Sequence, residues 1–155
     1  MAVVVSLIFV GLELRQSQQI AIATQYQSRI GFNLDFFNSM DEQDLRDMGD
    51  RTKRRVNDSS ISAELKQELL QMDAASLGRA AVAARKILYI FDNNHYQYRA
   101  GFFDEEAWRA TRRRIKIVMK ERPIMQVEIV GRSFQWRESL HHEFQQILKE
   151  LEKGE

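Results

Sequence analysis

The chain has 155 residues, 44% of them hydrophobic, with 23 Lys and Arg against 22 Asp and Glu. That length fits one domain with a real core, and a net charge of +1 gives no general attraction to nucleic acid or to an acidic substrate. The absence of Cys excludes disulfides, thiolate zinc sites and a thiol nucleophile, and one Pro with seven Gly leaves few helix breakers.

The first fourteen residues, MAVVVSLIFVGLEL, carry Glu13 as their only charge. They read as a membrane anchor over residues 1–14, followed by a helical domain over residues 15–155. A hydrocarbon core about 30 Å thick needs roughly 20 apolar residues at about 1.5 Å each, more than this run supplies, so the segment reads as a truncated span. A short interfacial anchor and a buried strand or helix of a soluble fold are the alternatives, the strand because AVVVSLIFV is rich in β-branched residues. A secretory signal fits worse, since the run has neither a basic start nor a small-residue cleavage site. Arg15 and Arg29 on the carboxyl side place the following domain in the cytoplasm by the positive-inside bias.

Leu14, Ile20, Ala23, Tyr26, Ile30, Leu34, Phe37 and Met40 lie mostly three or four apart and mark one face of a long first helix. The acidic stretch from Asp41 to Asp50, with Gly49, passes into basic Arg51 to Arg55 and reads as an exposed connection. Asn57 to Ser60 is a turn cluster, and Ser59, Ser60 or Ser62 caps a short helix with Leu65, Leu69 and Met72 inside. Asp73 caps a longer, Ala-rich helix whose apolar face runs from Leu77 to Phe91 and which stops at Ala100-Gly101. Asp104-Glu105-Glu106 complements the dipole at the start of the next helix, with Trp108, Ile115, Val118 and Met119 buried. Pro123 ends or kinks that helix; residues 124–130 alternate as Met125, Val127 and Ile129 like a strand or stack as Ile124, Val127 and Val130 like a helix, and with helices on both sides a short helix beginning at the Pro is favoured. After Gly131 and Ser133, Trp136, Leu140, Phe144, Ile147, Leu148 and Leu151 define a last amphipathic helix. The fold class is therefore all-α, an antiparallel four- to five-helix bundle whose first helix continues from the anchor.

The run ILYIFDNNHYQYRAGFFDEEAW, Ile87 to Trp108, together with LELRQ, Leu12 to Gln16, resembles a group of small bacterial proteins of unknown function. Those proteins have one amino-terminal transmembrane helix and a cytoplasmic helical domain. The resemblance implies a single-pass protein of the bacterial inner membrane with its bundle in the cytoplasm, and it implies no activity.

Two carboxylate-x-x-histidine units, Asp92 with His95 and Glu138 with His141, each place an oxygen and an imidazole nitrogen on one helix face. Two such units plus a carboxylate from each of two other helices, here Asp35 and Glu105 or Glu106, are the ligand set of a di-metal bundle. Exposed polar pairs at this spacing are common, so satisfied surface histidines are the plainer reading. Arg109, Arg112, Arg113, Arg114, Lys116, Lys120 and Arg122 make one helix strongly basic. A solvated or intramolecularly paired face is the plainer reading; as a contact surface, its targets are anionic headgroups, an acidic protein, or the segment Asp41 to Asp50 of the same chain. Tyr96, Tyr98, Phe102, Phe103 and Trp108 surround a helix corner, either as bundle closure or as interaction anchors. Nothing resembles a phosphate loop, a dinucleotide turn or a nucleophile elbow.

These features lead to a non-catalytic, membrane-tethered helical interaction domain that binds a protein partner or itself, without nucleic acid or a cofactor. Arg109, Arg112, Arg113, Arg114, Tyr96 and Tyr98 are the expected contact residues. The alternatives are a di-metal enzyme or metal sensor and a soluble nucleic-acid-binding protein.

Overall fold

A computed structural model describes residues 2–59 and 61–154. Among them are seven α-helices: α1 (Ala2–Asn38), α2 (Glu42–Asp58), α3 (Ala63–Gln71), α4 (Ala74–Arg99), α5 (Glu105–Glu121), α6 (Pro123–Val130) and α7 (Glu138–Glu152). A short 3-10 turn, Ser133–Gln135, precedes α7. The all-α expectation holds, and the count exceeds the four or five helices expected.

The caps follow from side chains that satisfy otherwise orphaned amides at helix starts. Asp41 accepts from the Asp44 amide at 2.8 Å, and the Asp44 carboxylate accepts in return from the Asp41 amide at 3.3 Å. Ser62, Asp73 and Asp104 cap α3, α4 and α5 in the same way. Ser59 instead closes the end of α2, and Ser60 lies outside the described residues. Gly101 takes φ +83° and stops α4, a conformation open to glycine because it has no Cβ.

The segment read as an exposed connection is helix α2. Its stretch of mixed charge conceals an inward stripe of Met48, Thr52 and Val56, all buried. Two glycines explain why α2 and α4 share the most extensive contact in the molecule. A Cβ on Gly49 would stand 1.8 Å from the Ala74 carbonyl oxygen, and one on Gly78 would stand 1.8 Å from that of Leu45. The two backbones therefore touch, and neither helix has room for a side chain at the crossing.

α4 is the hub, packed against α1, α2, α5 and α6, while α7 closes over α5 and α6. Leu77, Leu88, Ile115, Met119, Met125, Leu140, Phe144 and Ile147 fill the centre with almost no solvent contact. Trp136 and Phe144 meet edge to face, as aromatic pairs prefer.

α1 is about 55 Å long at about 1.5 Å per residue. It continues through Leu14 without a break, and AVVVSLIFV is helix rather than strand. No side chain from Val4 to Ile22 is buried; the first buried one is Ala23, followed by Ile30 and Phe37. About 30 Å of helix thus projects from the bundle as an arm. No helix among the described residues is long and apolar enough to cross a membrane, which overturns the expected anchor and single-pass inner-membrane placement. The physical reason is local: the apolar run holds Glu13 and is followed at once by Arg15, Gln16, Ser17, Gln18 and Gln19. Met1 lies outside the described residues.

Candidate functional site

A cleft of about 740 Å³ lies between α4, α5 and α7, with His95 and Trp108 inside it and Arg99, Arg109, Glu138 and His142 among its walls. Its charges are largely engaged with one another. Arg109 donates to Glu105 at 3.0 Å, Tyr98 donates its hydroxyl to Glu105 at 2.6 Å, and Arg112 donates to Glu143 at 3.2 Å. Tyr98 stacks on Trp108 and His95 meets the Trp108 edge, so the indole is held from both sides. Burial pushes the His95 pKa down, against the opposing pull of Glu143 and Asp92.

The expected contact residues divide. Arg112 and Lys116 are drawn onto α7 by Glu150, which Lys116 meets at 2.9 Å. These donors hold the Glu150 carboxyl well below the usual range, at about 2. Arg113 and Arg114 point to solvent, and Arg109 is exposed although paired along its own helix. The segment Asp41 to Asp50 lies on α2, where Glu42 pairs instead with Arg79 at 3.1 Å. Tyr98 is committed to Trp108 and Glu105. Tyr96 belongs to a different cluster.

That cluster fastens α1 to the bundle. The Tyr26 hydroxyl donates to the Asp92 carboxylate, and the Tyr26 and Tyr96 rings lie 4.6 Å apart. The Arg137 guanidinium sits 4.1 Å and 4.4 Å from their two centroids, within cation–π range. Burial and the neighbouring carboxylate raise the Tyr26 pKa, which keeps the phenol a donor throughout the neutral range.

The four residues read as metal ligands do not form one centre. Asp92 is engaged by α1, His95 faces Trp108, Glu138 is exposed, and His141 hydrogen-bonds Gln145 at 2.9 Å. Among the described residues, no group of three or more His, Cys, Asp or Glu side chains is placed to hold a metal ion.

Two features escaped sequence reasoning. Glu128, with no solvent exposure, receives Arg85 at 2.7 and 3.3 Å and Arg55 at 3.1 Å, with Arg132 at 4.0 Å. The signal was a lone carboxylate inside the apolar run IMQVEIV. The second is the outward face of α1. Leu14 and Phe32 are eighteen residues apart, about five full turns, and share one line on the helix; Leu7 and Ala21 lie close to it. Ala23, nine residues from both Leu14 and Phe32, is about two and a half turns from each and faces the bundle on the opposite side. Leu7 is 67% exposed and Phe32 73%, with Leu14 and Phe36 not far behind.

No protein-family model, curated protein or solved structure matches this chain. The resemblance to single-pass bacterial proteins is accordingly corrected: no family relationship carries it, and no described helix is long and apolar enough to cross a membrane.

Proposed function

We propose that the protein is a non-catalytic helical interaction domain that assembles through α1. The observation that carries this reading is the projecting arm, exposed over its whole apolar circumference from Val4 to Leu14 apart from Gly11 and the polar Ser6 and Glu13. A helix apolar on all sides is stable in water only when something covers it. The bundle does not supply that cover, because its stripe on α1 begins at Ala23. The basic helix is a weaker contact surface, since Arg112 and Lys116 are already taken up by α7.

The reading is tested by removing residues 2–14. No described side chain in that range is buried, so the shortened chain keeps the helicity and cooperative unfolding of the bundle. Sedimentation velocity on the full chain is expected to show association that strengthens from low to high micromolar concentration and is lost on truncation. A full chain that sediments as a monomer throughout that range would overturn the reading.

A further inference from the structure

The outward line on α1 has two apolar ends and a polar middle. One end is Leu7, Val10 and Leu14 on the arm; the other is Phe32 and Phe36, which point away from the bundle although the helix there is docked on it. Between them lie Gln18, Ala21, Gln25 and Ser28.

We infer that the partner of this face is a second copy of the chain, laid antiparallel along α1 with the two-fold axis at Ala21; the inference rests on the proposed assembly through α1. Counting from that axis, Phe32 of one copy falls over Val10 and Gly11 of the other, Phe36 reaches Leu7, and Leu14 meets Ser28. The outward line of each arm is thereby met by the aromatic patch that the other copy leaves exposed. Gly11 suits the place under Phe32, because a residue without a Cβ leaves room on the helix surface for the ring. Ala21 at the axis lets the two helices approach closely.

Antiparallel order follows from charge. A parallel pair would set Glu13, Arg15 and Arg29 each beside its own copy and align two macrodipoles, whereas the antiparallel pair separates the like charges and opposes the dipoles. The bundles do not obstruct the pairing, since the outward line is on the side of α1 opposite Ala23.

The chain has no Cys, so single introduced thiols report the order of the helices without interference. In the full-length protein under mild oxidation, Ala21→Cys is expected to give a covalent dimer. Leu7→Cys alone should give none, and an equimolar mixture of Leu7→Cys with Phe36→Cys should give the mixed dimer. Self-linking of Leu7→Cys would establish parallel order and overturn the inference, while leaving assembly through α1 intact. Association by sedimentation with no link in any of these variants would also overturn the pairing alone. Absence of association in the unmodified chain would overturn both.

Discussion

Glu128 sits where three guanidiniums converge and water does not reach, and its surroundings make the cost of losing it larger than that of an ordinary ion pair. Arg85, itself 4% exposed, would retain a buried charge with no counter-ion, and breaking a pair of this kind typically costs about 3–5 kcal/mol. Glu128→Ala is therefore expected to lower unfolding stability by about that amount, read as a shift of the urea midpoint at unchanged slope. Burial, followed by the nearby Arg85 charge, already lowers the Arg132 pKa, a sign that the cationic excess is felt in the native state. Glu150 gives a second outcome. Its folded pKa of about 2 lies below the ordinary Glu value of about 4.3, so the native state holds its proton less tightly than the unfolded chain does. Its contribution is present above the unfolded pKa and is lost as pH falls from about 4.3 towards 2. Glu150→Gln should lower stability at pH 7 and flatten the acid limb of the pH–stability curve within that window, less so at high salt. Sequence spacing placed Asp92, His95, Glu138 and His141 on helices, but it carries no distance between helices, and that distance is what separates a ligand set from four unrelated side chains.

At the scale of elements, the crossing of α2 and α4 depends on what is missing from two side chains. Gly49→Ala or Gly78→Ala must push a backbone carbonyl aside, since neither clash is with a movable side-chain end. Each is expected to cost about 1–3 kcal/mol as overpacking, despite the gain in helix propensity, and thermal unfolding of the variants measures it. Gly31→Ala, whose added Cβ would meet nothing within 4 Å, provides the contrast and should stabilise α1 slightly. The helices α3 to α5 were legible because their caps and stops are local: Ser62, Asp73, Gly101 and Asp104 act within one turn of themselves, while α7 showed in the spacing of Leu140, Phe144 and Ile147. α2 was not legible. Its alternating acidic and basic runs imitate a solvated loop, and Gly49 reads as a breaker until its partner across the crossing is known.

For the whole molecule, the inner stripe of α1 was visible in the spacing of Ala23, Tyr26, Ile30 and Phe37, whereas the limit of that stripe was not. Periodicity continues along a helix regardless of where the neighbouring elements end, so the boundary between docked helix and arm appears only when the bundle is placed beside it. The apolar run at the start was likewise visible, and its reading as a membrane span failed on length and on the polar residues that follow. The covering of this run by a second chain is what the truncation and thiol measurements decide. The join at Ala23 has a mechanical consequence. Because one unbroken helix carries both the Tyr26–Asp92–Arg137 fastening and the arm, with no glycine or proline between Gly11 and Gly31, any tilt of the docked half about that fastening is carried along the arm. Over about 30 Å, a tilt of about 10° there carries the far end about 5 Å, the rise of one helical turn.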